Sequence, residues 1–457
     1  MQLTFLGATR TVTGSKSLLR FGHSNVLVDC GLFQGERELR ERNWGAFPIP
    51  PSSIDAVVLT HAHLDHSGYL PRLVRDGFRG PIHCTPATAA LCEILLRDSA
   101  HLLERDADFA NRHGYSRHKP ALPLYTVADA EAGLRLLRPT EAGRPFQPVH
   151  DVSAMFRPAG HILGAAMVRL EHGGTSILFS GDLGRPDDPL LLEPAPPPPS
   201  DYLVVESTYG DRRHDRTDVE SKLAEIVSAT AARGGTVLIP AFAVGRAQTI
   251  LYHLHRLKQQ RRLPAIPIYL DSPMAVDASE ILCEHIGDHK LKAQECRDLC
   301  SIAEYVRDAE LSKALDHRAM PMIIISASGM ATGGRILHHL KVMAPDPRNT
   351  VLLTGFQAAG TRGAQLRDGA REVSIHGERI HVRARVENLQ MLSAHADADE
   401  IMRWLGNLRR PPRETFVIHG EPAAASNLEA RIERELGWKV TVPSYAQNVG
   451  LASNNRL

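Results

Sequence analysis

The sequence predicts an α/β protein in which a parallel sheet flanked by helices interrupts a strand-rich fold. Three observations predict it. Short apolar strands joined by tight turns fill roughly the first 85 residues. From residue 202 to about 350, apolar strands alternate with helical segments, the rhythm of strands joined by crossover helices. After residue 371 the strand-rich style returns in REVSIHGERIHVRARV.

Taken in order, strands are expected at 3–6, 17–21, 26–29 and 56–60. The last, AVVLT, is apolar up to its final threonine, as suits a strand buried on both faces, and it runs directly into HAHLDH. A short helix at 68–75 and the strand PIHCT follow. Helical periodicity covers 87–113, and 126–138 carries a second helix. Strands return at 152–157, 166–171 and 176–180. The run EPAPPPPSD at 193–201 favours a stiff extended linker and marks the approach to a domain boundary. Beyond it lie the strands YLVVEST, TVLIPAF, IPIYLD, PMIIISAS and TVLLTGF, with helices at 219–232, 245–258 and 334–343. A helix at 398–408, the strand TFVIHG, a helix at 426–436 and the strand KVTVPS close the chain.

Bulk properties narrow the function. With 457 residues, 43% hydrophobic and 23% charged, the chain is long enough for two or three domains with sizeable cores. A formal net charge of +1 removes any argument for nucleic-acid binding from bulk charge, so a polyanionic substrate must be drawn by local charge. No apolar run suits a membrane-spanning helix, and MQLTFLGATRTVTGS lacks the pattern of a secretory signal, so a cytoplasmic protein is expected. The six cysteines form no CxxC pair, and reduced, mostly buried thiols are expected.

The chemistry lies in the histidines. His61, His63, Asp65 and His66 follow a buried strand within six residues. Side chains two apart at a strand end point the same way, so His61 and His63 can share one ion, and Asp65 with His66 can face a second. Imidazole and carboxylate suit zinc, and manganese is an alternative on the same donors. Further ligand types sit on short loops after strands: His161 in PAGHILG, Asp182 in SGDLG, His395 in LSAHAD and His419 in VIHGE. Each alone reads as an ordinary polar loop residue; together with HAHLDH they form a set.

HAHLDH followed by a later His and by Asp in SGD resembles the metallo-β-lactamase superfamily. Asp29 in VDCG matches its first motif, an acid that ties down the ligand loop. Glu206 in VVESTYG, His395 in LSAHAD and His419 in VIHGE are similar to the three further motifs of the β-CASP nucleases. PAFAVGRAQ, SGMATGGR and TGFQAAGTRG also resemble family segments. The chain is similar to bacterial β-CASP RNases and to the endonuclease subunit of the eukaryotic cleavage and polyadenylation specificity factor. The resemblance implies an αββα sandwich over 1–207 and 371–457, interrupted by a β-CASP domain over 208–370.

It also implies roles. His61, His63 and His161 would hold one zinc, Asp65, His66 and His419 the other, and Asp182 would bridge them. A hydroxide between the metals would attack a phosphodiester. His395 would be the general acid, oriented by Glu206. Ser393, Arg246 and Arg335 would contact substrate phosphates, against the plainer reading of a loop serine and packing arginines. The implied enzyme is a zinc-dependent ribonuclease on single-stranded RNA, acting as endonuclease, 5′ exonuclease or both, with a homodimer as the family analogy. A histidine at position 419 favours RNA, since DNA-acting relatives tend to carry an aliphatic residue there. The alternatives are a DNA nuclease, a small-molecule ester or lactone hydrolase on the same ligands, and a non-catalytic scaffold, which the intact ligand set opposes.

Overall fold

A computed structural model describes residues 1–452 other than 115, 117, 319, 320, 356 and 359. Phe356 and Ala359, in the segment TGFQAAGTRG, lie outside the described residues. The chain forms two compact units, one of Met1–Arg213 with the segment from His395 onward, the other of His214–Ala394.

The first unit holds two seven-stranded sheets. One runs in the order Asn448–Gly450, Gln2–Phe5, Ser17–Phe21, Ser24–Val28, Ala56–Val58, Ile82–Cys84, Leu137–Pro139. The other runs Val440–Thr441, Glu414–Ile418, Tyr202–Glu206, Thr175–Phe179, Ala166–His172, Ser153–Pro158, Pro145–Phe146. Alternating residues of both sheets, among them Leu3, Phe5, Leu19 and Val28 from the first and Phe156, Val168, Phe179 and Phe416 from the second, interlock in one core. On the far face of the second sheet, Leu178, Leu203 and Val205 pack against Ile401, Leu405, Leu428 and Ile432 of two helices, Ala398–Leu405 and Pro422–Leu436. Helix Pro86–His113 starts where Thr85 accepts a hydrogen bond from the Thr88 amide and Pro86 presets the first turn. It ends at Gly114, whose φ of 67° is the left-handed stop that glycine adopts at no cost.

The second unit is a six-stranded, all-parallel sheet in the order Glu304–Tyr305, Ile268–Leu270, Ile323–Ser326, Val237–Pro240, Thr350–Thr354, Arg385–Leu389. Helices including Val219–Ala232, Arg246–Gln259 and Ile336–Met343 connect its strands. The non-sequential order requires those crossovers, as the alternating pattern anticipated.

Three expectations change. The proline run packs on the first unit instead of leading out of it: Ala195 N donates to Pro158 O at 2.9 Å, and Trp404 Nε1 donates to Ala195 O at 2.9 Å. The second unit continues past residue 370 to Ala394, because Arg385–Leu389 pairs with Thr350–Thr354. Cys283 and Cys296 form a disulfide, their Cα atoms 5.7 Å apart on neighbouring segments, whereas Cys30, Cys84, Cys92 and Cys300 are free. Among the described residues no helix is long and apolar enough to cross a membrane.

Candidate metal centre

The ligand-type side chains of the site lie on segments that follow strands of the first unit, Asp65 and His66 in the short helix Leu64–Ser67. The buried strand Ala56–Val58 delivers Thr60 and His61. Asp29, just past the neighbouring strand and held at φ 60°, reaches across to them. Its carboxylate accepts from Thr60 N at 2.8 Å and from Thr60 Oγ1 at 3.0 Å, and lies 2.7 Å from His66 Nδ1. One buried acid thus bonds to both ends of the histidine loop. Backbone bonds complete the clamp: Ser15 N donates to Asp65 O at 2.8 Å, and Cys30 N donates to His66 O at 2.7 Å. Only glycine fits at position 31, where a Cβ would come within 1.6 Å of the Asp65 carbonyl oxygen.

The other ligand-type side chains arrive on turns. His161 follows Ser153–Pro158, and Asp182 follows Thr175–Phe179. His419 follows Glu414–Ile418 at φ 52°, a left-handed conformation costly for histidine and retained here beside the site. Thr208 steadies it from two residues beyond Glu206, with Oγ1 3.1 Å from His419 Nδ1.

These side chains fall into two groups, each able to bring one donor atom per residue within 4.8 Å of the rest: His61, His63, His161 and Asp182, and separately Asp65, His66 and His419. Asp182 touches both, with Oδ2 3.5 Å from His61 Nε2 and 3.6 Å from His161 Nε2, and Oδ1 3.3 Å from His66 Nε2. Ring nitrogens also converge on one another, His161 Nε2 on His63 Nδ1 at 3.2 Å and His66 Nε2 on His419 Nε2 at 3.1 Å. The Nε2 atom of His61 is buried without a hydrogen bond. Buried nitrogens aimed at a common point, with a shared carboxylate between them, fit two divalent cations.

The electrostatics agree for the histidines of the first group. Burial, with neighbouring histidines adding to it, holds His61 and His161 well below the usual imidazole range and brings His63 down to about 4. Those three are neutral, the form that donates a lone pair to a metal. Burial opposes charge on Asp182, but His419, His66 and His61 outweigh it and hold the carboxyl well below its ordinary value. Burial likewise opposes charge on His66, yet Asp182 and Asp29 raise its pKa well above normal.

His395 sits beside the first group without joining either. Its ring lies 4.3 Å from that of His161, centroid to centroid, and its side chain is 17% exposed. Nδ1 is 3.2 Å from both oxygens of Glu206, which is fully buried. Glu206 is itself fixed by the amides of Leu183, at 2.6 Å, and Thr208, at 3.2 Å. Burial lowers the His395 pKa, but the Glu206 charge and hydrogen bond outweigh it and the net shift is upward.

Residues expected at substrate phosphates belong to the second unit. Ser393 is buried rather than an exposed loop hydroxyl. Arg246 is buried at the start of its helix with its guanidinium against Gly355, where a Cβ would meet Nη2 at 3.5 Å. Arg335 takes a packing role: its Nη1 donates to Asp271 Oδ1 at 2.6 Å and to Val306 O at 3.0 Å, and its Nη2 to Arg307 O at 2.6 Å. Thr60 and Thr208 were missed from the sequence. The signal was position, one residue before His61 and two after Glu206.

Comparison with known proteins places this geometry in a family. The chain matches the metallo-beta-lactamase superfamily over residues 13–221, the Beta-Casp domain over 247–366, and the Zn-dependent metallo-hydrolase RNA specificity domain over 379–443. It is 40% identical to Ribonuclease TTHA0252 of Thermus thermophilus over 92% of this chain and 93% of that one. It is 33% identical to the transcription termination factor FttA of Pyrococcus abyssi over 99% of this chain and 71% of that one. A crystal structure of a protein of unknown function from Enterococcus faecalis V583 shares the fold, with a TM-score of 0.53 at 14% identity over 98% of this chain and 99% of that one. The chain therefore belongs to the β-CASP family of the metallo-β-lactamase superfamily.

Proposed function

We propose that this chain is a zinc-dependent ribonuclease hydrolysing phosphodiester bonds of single-stranded RNA. The observation that carries the reading is the Glu206–His395 pair set against His161, a proton donor next to a two-cation ligand set and outside it. In this reading His61, His63 and His161 hold one ion, Asp65, His66 and His419 the other, and Asp182 is shared. Two zinc ions, when bound, would polarise the phosphate and make water acidic enough to react at neutral pH. His395, held through Nδ1 by Glu206, gives a proton to the departing oxygen. Asp29 and Thr60 keep the ligand loop in register, so the donors are organised before a substrate arrives. RNA as substrate rests on Ribonuclease TTHA0252 as a relative, on the match at 379–443, and on histidine at 419. The reading includes a cytoplasmic setting and a homodimer by family analogy.

The test uses purified chain with labelled single-stranded RNA and DNA. RNA is cleaved in the expected outcome; robust DNA cleavage with intact RNA refutes the substrate. Product mapping on end-labelled RNA separates internal cuts from release of mononucleotides. His395→Ala is expected to keep the wild-type zinc content, by metal analysis, and to lose about 100- to 10,000-fold in kcat, the range for a general acid. Loss of metal in that variant makes His395 a ligand and ends the assigned role.

A further inference from the structure

The loop joining strands Gln2–Phe5 and Ser17–Phe21 is anchored at both ends to segments that carry ligands of the second group. Ala8 O accepts from His419 N at 2.7 Å, and Ser15 N donates to Asp65 O at 2.8 Å. Ala8 N donates to Thr13 O at 3.1 Å and closes the loop on itself. Arg10 lies within that closed turn, exposed, at φ 55°. Its guanidinium makes no hydrogen bond or ion pair with any described residue. A left-handed backbone position carrying a cation with no partner among the described residues, beside the candidate metal centre, has no packing purpose.

A second feature adjoins it. A Cβ at Gly14, in the same loop, would come within 2.5 Å of the Phe33 ring. The Arg42 guanidinium lies over that ring at 5.5 Å and over the Tyr445 ring at 4.6 Å. Tyr445 is 42% exposed, and its neighbour Ala446 donates its amide to Phe5 O at 2.8 Å, at the edge from which the Arg10 loop leaves. A guanidinium on one face of an exposed aromatic ring polarises it and leaves the ring available for stacking.

Resting on the ribonuclease reading, we propose that this face is a nucleotide subsite for the substrate strand: Arg10 takes a phosphate next to the scissile bond, and Tyr445, backed by Arg42, stacks a base. The chemistry suits single-stranded nucleic acid, because a lone cation and an exposed ring match one phosphate and one base face whatever the sequence. It also supplies the local charge that a chain of net charge +1 needs to draw a polyanion.

The experiment is steady-state cleavage of a labelled single-stranded RNA by the whole chain, at several salt concentrations. Arg10→Gln is expected to lower kcat/KM about tenfold. It also flattens the log–log salt dependence by about 0.7, the contribution of one phosphate on a single strand. Arg10→Gly, which relaxes the left-handed backbone, gives the same two changes if the charge is what matters. Tyr445→Ala is expected to lose about 5- to 100-fold in kcat/KM with the salt slope kept, and Tyr445→Phe to restore it. Wild-type cleavage matched by all the variants, with one common salt slope, overturns the subsite alone. A wild-type chain that leaves RNA intact overturns the ribonuclease reading and the subsite with it.

Discussion

Glu206 is buried to 0% exposure, and its two oxygens converge on the one nitrogen of His395 at 3.2 Å. Burial disfavours the imidazolium, and the carboxylate reverses that, so His395 carries its proton to higher pH than a free histidine does. A rate that depends on protonated His395 falls as pH rises through that raised pKa. Glu206→Gln keeps an acceptor but removes the charge, and burial then dominates. The high-pH limb of the kcat/KM profile is therefore expected to move to lower pH, with zinc content unchanged. A limb that stays in place shows that another group controls it. Glu206 and His395 were expected from the sequence through the resemblance of VVESTYG and LSAHAD to family motifs. The packing role of Arg335 was not: an arginine after two glycines looks poised for a phosphate, and only the fold shows Asp271 already holding it.

Asp271 belongs to a clamp between elements of the second unit. It follows the strand Ile268–Leu270, His339 lies in the helix Ile336–Met343, and Asp316 caps the helix Ala309–Leu315. His339 is 1% exposed and pairs through Nε2 with Asp271 Oδ2 and through Nδ1 with Asp316 Oδ1, both at 2.6 Å. Burial opposes its charge, but the two carboxylates win and raise its pKa from 6.5 to about 9. A group whose folded pKa is raised stabilises fully below the unfolded value, and that stability disappears as pH climbs through the folded value. The second unit is thus expected to lose roughly 3 kcal/mol of stability between pH 6.5 and 9. Urea unfolding at several pH values measures it, and His339→Asn should flatten the dependence; an equally steep loss in that variant assigns it elsewhere. At this scale the strands and helices were legible from apolar runs and periodicity, because those patterns are local. The extent of the second unit was not, because it depends on which strand Arg385–Leu389 pairs with, a choice made between residues far apart in sequence.

Over the whole molecule, the centre draws on segments from Asp29 to His419, and one register explains how they meet. Tyr202–Glu206 and Glu414–Ile418 run parallel with Glu206 opposite Ile418, so Glu206 and His419 emerge together at one sheet edge. The second unit enters and leaves the first at Arg213 and His395, and contributes none of the seven side chains in the two ligand groups. That division was legible because each motif has its own residue signature, even though more than 200 residues of sequence separate Glu206 from His419. It carries a consequence for metal removal. In the first unit, three neutral histidines and two carboxylates are arranged for cations, so a bound ion stabilises that unit by mass action. At an ion concentration about 1,000 times the dissociation constant, the gain is about 4 kcal/mol. Chelation is expected to lower the melting temperature of the first unit by roughly 10 °C and leave that of the second in place. Calorimetry with and without chelator, followed by zinc re-addition, reads both transitions. Equal shifts in the two, or no shift in either, would show that the ligand set does not hold metal as proposed.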